Sequence, residues 1–388
     1  MINLTTLYAN GSSTSDGLRY GKGTDAPATA GSRRPVVVWN CTRRCNLACR
    51  HCYSSSRNQE YPGELTNAEA RDFIKDLADF GVPALLLSGG EPLMRHDLLD
   101  LLTFARSLGL RVTLSTNGTL IDAARAKALA EAGVVYVGVS LDGVGETHDR
   151  FRGHVGAFEE TRAGIRALRA EGVRTGLRLT LARQSVAELE ALFAFAEEEG
   201  IERICFYHLV PVGRGRTSDL LSVVETRAAV DRIMAKSLDF VERGLPVEIL
   251  TVDGHFDGPY MYTKLRERDA TRAEEVLERM RWNGGALNST GVGISSVNWE
   301  GVVHPDQFLR SVVLGSIRER PFSQIWSNPD DAVLTQLRDK RAHLGGRCLG
   351  CRFLDVCGGG LRARAEAMSG DRWAPDPACY LSDEEISV

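Results

Sequence analysis

The sequence carries no surplus of positive charge: 47 lysines and arginines stand against 51 aspartates and glutamates, a formal net charge of −4. A chain so balanced offers no basic field to nucleic acid or to an anionic membrane, so neither is expected as a partner. Long apolar runs are missing too, and nothing approaches the roughly 18 consecutive apolar residues that span a bilayer. The stretch before Val36, "MINLTTLYANGSSTSDGLRYGKGTDAPATAGSRR", lacks the unbroken apolar core of a secretory signal. Rich in Gly, Ser and Thr, residues 1–34 read as a partly flexible N-terminal extension. These absences point to the cytoplasm. In that reducing compartment, cysteines at short spacings are more often metal or cluster ligands than disulfides.

What the chain does have is length for a sizeable core, 388 residues at 43% hydrophobic, and a repeated rhythm. "PVVVW" leads into a cysteine loop and the helical pattern "NAEARDFIKDLADFG". "PALLLS", "RVTLST", "VVYVGVSL", "RTGLRLTL" and "RICFYHL" follow, separated by amphipathic stretches most of which close on Gly. Short apolar strands alternating with helices predict a parallel sheet with right-handed crossovers. Six units give an α/β fold of the partial (β/α)6 TIM-like barrel type over residues 35–220, a helical bridging region over 221–288, and a small C-terminal domain over 289–388. Ligands of such barrels lie at the C-terminal ends of the strands.

Eight of the nine cysteines fall into two groups: Cys41, Cys45, Cys49 and Cys52, then Cys348, Cys351, Cys357 and Cys379. Cys205 stands apart and reads as a small buried hydrophobe. Cys45, Cys49 and Cys52 put three thiolates on one loop, able to ligate three irons of a cubane and leave the fourth iron open. Zinc is the alternative for three close cysteines, although a structural zinc takes four ligands. After the next strands come "SGGEP", "STNG", "SLDG" and, on the fifth strand, "LRLT", all converging on one rim.

With CxxxCxxC followed by Tyr53, and these loops behind it, the sequence resembles the radical S-adenosylmethionine (SAM) superfamily. The resemblance implies a SAM-binding [4Fe-4S] cluster on Cys45, Cys49 and Cys52. It also implies that the Gly89–Gly90–Glu91–Pro92 turn meets the amino group of SAM, with Glu91 accepting from the ammonium. Ser140 and Arg152 look like contacts to the SAM carboxylate, and Asn117 and Leu179 like contacts near the ribose and adenine. Asp142 reads equally well as a turn residue. The C-terminal cysteines, following the hairpin-like "GVGISSVNWEGVVHPDQF", resemble an auxiliary-cluster domain of SPASM or shortened twitch type. Leu361 and His304–Pro305–Asp306 stand where further cysteines belong in the full domain. One auxiliary [4Fe-4S] cluster on Cys348, Cys351, Cys357 and Cys379 is therefore implied, with a four-cysteine zinc ribbon as the alternative.

Over residues 35–388, stretches such as "VVVWNCTRRCNLACRHCY", "LLLSGGEPL", "YVGVSLDG", "VHPDQF" and "DPACYLSDEEI" resemble the tetrapyrrole-modifying radical enzymes. Two activities of that group stay open. One is removal of two acetate side chains from an iron didecarboxysiroheme, towards which "DGLRYG" and "VDGHFDGPYMY" lean; the other is removal of propionates on the way to heme d1. An electron donor such as flavodoxin or ferredoxin is implied, with an iron tetrapyrrole as substrate. His208, Arg214, Arg216, His255 and His304 are the candidates for holding that substrate, arginines for its carboxylates and neutral histidines for its iron. Cys41 departs from the group's pattern, as does Leu309 in place of a bulky aromatic. Cys41 reads as a small core-facing residue or as a thiolate for the substrate's metal. A competing class, peptide maturation, uses an additional recognition domain for which residues 1–35 are too short and too polar.

Overall fold

Short apolar strands, each followed by an amphipathic helix, build one sheet in the computed structural model, which describes residues 1–12 and 34–387. Eleven strands are hydrogen-bonded in the order β1-β8-β7-β6-β5-β4-β3-β2-β9-β10-β11. They are β1 (Ile2–Asn3), β2 (Val36–Thr42), β3 (Leu85–Gly89), β4 (Val112–Thr116), β5 (Tyr136–Ser140) and β6 (Thr175–Leu181). After them come β7 (Arg203–His208), β8 (Glu248–Val252), β9 (Ile294–Val297), β10 (Val302–His304) and β11 (Gly315–Ser316). Strands β2 to β8 run parallel in chain order. The two ends of this order do not pair, so the barrel is open.

The helix Asn67–Phe80 shows why the units form. Thr66 and Glu69 make a capping box, Ala70, Phe73, Ile74 and Leu77 turn one face to the sheet, and Gly81 closes the helix at φ 78°. Phe73 meets Trp39 of β2 edge-on at 5.6 Å, and each such buried side chain stabilises the layer by roughly 1.5–3 kcal/mol. Strand alternation then sorts the residues of β2. Val37, Trp39 and Cys41 pack in the helix-side core, whereas Val38 lines the barrel interior.

The sheet is larger than six units. "VEILTV", inside the region expected to be helical, forms the seventh parallel strand β8, and β9 joins parallel on the far side of β2. The sheet therefore extends from the 221–288 segment into 289–388. The expected hairpin is present, with Val303 opposite Val297 and His304 opposite Ser296. At the other edge β1 pairs antiparallel with β8, Ile2 with Thr251 and Asn3 with Leu250; a strand of two residues leaves no readable periodicity. Residues 13–33 of the expected extension lie outside the described residues. Arg364, fully buried, ties the C-terminal region to the barrel rim. It donates to the Leu209 and Asp253 carbonyls at 3.3 and 3.0 Å and to Asp376 at 3.1 Å.

Candidate active site

The loop after β2 carries Cys45, Cys49 and Cys52, which cluster around Leu47. Backbone N–H groups point at two of the sulfurs, Leu47 N to Cys45 Sγ and Ser56 N to Cys52 Sγ, both at 3.4 Å. Arg152 Nη1 donates to Cys49 Sγ at 3.5 Å, and Asn117 Nδ2 lies 4.0 Å from Cys45 Sγ. Burial pushes the Cys45 thiol up to about 12. The Cys49 thiol is pushed up by burial as well, against the pull of Arg152. Buried thiols surrounded by N–H donors and a guanidinium suit iron ligation, in which metal replaces the proton and the donors stabilise sulfur charge. Cys348, Cys351, Cys357 and Cys379 line one apolar cavity with Phe256, Leu354 and Leu381, a donor set that equally suits an enclosed cluster. Among the described residues no three His, Cys, Asp or Glu side chains close around a single ion. In a cubane each thiolate serves a different iron.

A cavity fills the barrel beside the first cysteine loop, and each of the strands β2 to β7 contributes to its wall. Val38, Ser88, Ser115, Ser140, Arg178, Thr180, Tyr207 and His208 line it, together with His51, Tyr53, Asp142 and Arg152. Gln307 and Phe308 reach in from the segment after β10. Tyr53 donates to Asn40 Oδ1 at 2.7 Å and meets Phe308 edge-on at 5.5 Å. This ring pair separates the cavity from an outer groove that contains His304, Arg43 and Arg310. Arg43 and Arg310 both stack on Trp299, at 4.9 and 4.8 Å, and neither makes an ion pair with a described residue.

Of the residues singled out from sequence, Tyr53, Ser140, Arg152 and His208 line the cavity. Arg152 has a second duty, since its Nη2 is ion-paired with Asp142. Burial pushes the Asp142 carboxyl up, but the Arg152 guanidinium, the nearby His51 and the Thr180 N–H together outweigh it and hold the group below the usual carboxylate range. Asp142 also accepts from Thr180 N at 2.8 Å and lies 3.9 Å from His51. It belongs to the site rather than to a turn. Burial drives His51 down to about 4, so that ring is neutral at physiological pH.

The remaining candidates are placed differently. Glu91 is fully buried. It accepts from Thr116 Oγ1 and Asn117 N, both at 2.8 Å, and caps the short helix Pro92–Met94 through Leu93 N. Gly89 and Gly90 serve the fold as well: a Cβ would lie 2.2 Å from the Thr42 carbonyl oxygen and 2.1 Å from that of Arg44. Asn117 bonds Asn46 at 2.9 Å and sits against the cysteine loop. Leu179 points into the helix-side core; its neighbours Arg178 and Thr180 face the cavity, as a period of two requires. Arg214 clamps the cysteine loop, donating to the carbonyls of Cys49 at 2.8 Å and Ser56 at 2.7 Å, while Arg216 is exposed. His255 lies against the Met1 amino group at 3.3 Å. His304 faces the outer groove with its Nδ1 on the Val312 carbonyl at 2.7 Å. Cys41 is fully buried among core residues and lines neither cavity nor groove, the placement of a small core residue.

Arg178 was not among the sequence candidates. It bonds Ser115 at 3.0 Å and crosses the barrel interior over Gly138, where a Cβ would lie 2.3 Å from its Nε. A Gly inside the strand "VVYVGVSL" is the signal that something approaches closely there.

Residues 39–196 match the family model of the radical SAM superfamily. An Fe-coproporphyrin III synthase of Methanosarcina barkeri is 48% identical over 100% of this chain and 99% of its own length. A pre-heme d1 synthase of Dinoroseobacter shibae is 42% identical over 92% of this chain and 89% of its own. Among solved structures, anSMEcpe with bound AdoMet superposes with a TM-score of 0.71 at 18% identity, covering 91% of this chain and 95% of that one; the likeness is one of fold.

Proposed function

Because the chain belongs to the radical SAM superfamily, we propose that it is a tetrapyrrole-biosynthesis enzyme that removes acetate side chains from an iron didecarboxysiroheme to give iron coproporphyrin. The observation that carries this reading is the end-to-end likeness to an Fe-coproporphyrin III synthase, which extends over 100% of the chain. Cys45, Cys49 and Cys52 hold the cluster to which SAM binds. Bound there, the two supply one-electron cleavage of a carbon–sulfur bond and hydrogen-atom abstraction. The four C-terminal cysteines hold an auxiliary [4Fe-4S] cluster, and an external donor of flavodoxin or ferredoxin type delivers electrons.

The chain's own residues orient and enclose. Ser140 and Arg178 face the cavity from adjacent strands and offer donors to a carboxylate. Arg152 neutralises sulfur charge at Cys49 while Asp142 fixes its position. Tyr53 and Phe308 form the wall that keeps water from a reacting C–H. Arg43 and Arg310, which make no ion pair with a described residue, add positive charge at the groove beyond that wall. No helix among the described residues is long and apolar enough to cross a membrane.

The pre-heme d1 synthase relative keeps a second reading in play, propionate removal. Anaerobic incubation with didecarboxysiroheme, SAM and reductant separates the two by mass spectrometry of the product. Loss of two acetate groups is expected. Loss of propionates would replace the first reading with the second, and a protein inert towards the tetrapyrrole that releases 5′-deoxyadenosine on addition of a short peptide would remove both.

A further inference from the structure

Resting on the tetrapyrrole reading, the geometry points to His208 as the side chain that ligates the substrate's iron, through Nδ1. Four observations converge on this ring. It stands at the C-terminal end of β7 and lines the cavity. Its Nε2 lies 2.8 Å from Asp257 Oδ2, and that carboxylate is fully buried. Nδ1 has no hydrogen-bond partner among the described residues and is not one of the enclosed, unpartnered nitrogens. The ring is closely packed: Phe256 meets it edge-on at 5.3 Å, and Gly254 passes so near that an added Cβ would lie 2.3 Å from its Cδ2.

The chemistry follows from the hydrogen bond. A carboxylate accepts, so Nε2–H donates to Asp257 and the Nε2–H tautomer is favoured, which leaves the lone pair on Nδ1. Asp257 is itself held, since its other oxygen accepts from Tyr380 Oη at 2.7 Å. A carboxylate behind an imidazole is the arrangement that orients histidines at metal sites and raises their basicity. The other histidines lack it at a cavity wall. His304 has its Nδ1 on a carbonyl and faces the outer groove. His148 is enclosed behind Asp142, with its Nδ1 accepting from the Asp142 amide at 3.2 Å. His51 is paired only loosely, at 3.9 Å, with an Asp142 already engaged by Arg152.

The test uses the oxidised holoenzyme, whose [4Fe-4S] clusters are EPR-silent, with ferric coproporphyrin and metal-free coproporphyrin as separate probes. Wild type is expected to bind both and to give the ferric probe the EPR and visible signature of nitrogen ligation. His208→Ala should still bind the metal-free ring but lose that signature, and added imidazole should restore it. Asp257→Ala should keep ligation while weakening binding of the ferric probe about 10-fold, as loss of a supporting carboxylate does. An unchanged ferric signature in His208→Ala overturns the assignment and leaves the tetrapyrrole reading standing. Failure of wild type to bind either probe removes both. Should His208→Ala bind neither ring, His208→Gln, closer in volume, decides: a wild-type ferric signature there overturns the proposal, and its loss with metal-free binding intact supports it.

Discussion

At the scale of a single residue, Asp253 illustrates what the site demands of the side chains around it. It follows β8 with φ 62°, a left-handed conformation that Asp and Asn tolerate better than other side chains. Its backbone carbonyl anchors Arg364, and its side chain lines the cavity with Oδ2 enclosed and unpartnered. Burial pushes the carboxyl up to about 6; Arg364 and His208 oppose the shift and Asp306 adds to it. A carboxyl whose pKa is higher in the folded than in the unfolded chain stabilises the fold below the unfolded value, near 3.8. That contribution is lost as pH rises through about 6. A shift of about two units corresponds to at most about 3 kcal/mol. Asp253→Asn keeps the backbone conformation and does not titrate, so its stability relative to wild type should rise between pH 4 and pH 7 by up to about that amount. Denaturant titrations of both proteins across that range provide the measurement. A constant difference would mean that the carboxyl is already ionised throughout.

At the scale of elements, the cysteine loop is held by backbone approach more than by side chains. Gly90 N donates to the Thr42 carbonyl at 2.7 Å and Glu91 N to that of Arg44 at 2.8 Å, so the turn after β3 lies directly on the loop after β2. Gly90→Ala would force a Cβ to 2.1 Å from the Arg44 oxygen, and backbone must move. It should cost several times the roughly 1 kcal/mol of an ordinary glycine replacement and lower iron incorporation. Gly109→Ala, where the added Cβ meets nothing within 4 Å but φ is 80°, should cost only about 1 kcal/mol and leave iron unchanged. Thermal midpoints and iron analysis compare the two, and equal iron content would deny the turn this role. The same elements show what sequence reveals and what it hides. The cysteine spacing and the six strands β2 to β7 are legible because they are local patterns. Which face of "RTGLRLTL" looks inward is not, since both faces of a barrel strand are buried and an Arg inside resembles an Arg outside. Gly138 on the neighbouring strand resolves it in favour of Arg178. Glu91 and Arg214 read as ligand contacts because their charges suggest a ligand; the fold also gives each backbone hydrogen bonds that no local pattern foretells. Strand β8 escaped for a simpler reason: its apolar run is brief and follows a 20-residue helix, Val223–Glu242, which sets the expected period for that region.

At the scale of the whole molecule, the four C-terminal cysteines line one chamber and the first cysteine loop stands beside another, the barrel cavity, with a packed wall between them. Phe256 lines the chamber of the four C-terminal cysteines and also packs on His208 of the barrel cavity. Tyr380, next to Cys379, bonds Asp257 behind that same His208. Arg364 spans the junction through Asp376, which lines the C-terminal chamber. Separate chambers predict independent loading, with about eight irons in the intact protein if each group holds a cubane. Replacing Cys45, Cys49 and Cys52 by Ala should halve the iron and abolish 5′-deoxyadenosine formation, because the only open iron is lost. Replacing Cys348, Cys351, Cys357 and Cys379 should also halve the iron, but 5′-deoxyadenosine should still form since the barrel cavity retains its own wall. The second variant should be less stable as well, because an emptied chamber leaves Arg364 and Asp376 without packed neighbours on one side. Metal analysis, 5′-deoxyadenosine quantification and thermal midpoints read the three consequences separately. Zinc in place of the missing irons would make the C-terminal group a four-cysteine ribbon, and unchanged iron in the quadruple variant would remove the auxiliary cluster altogether.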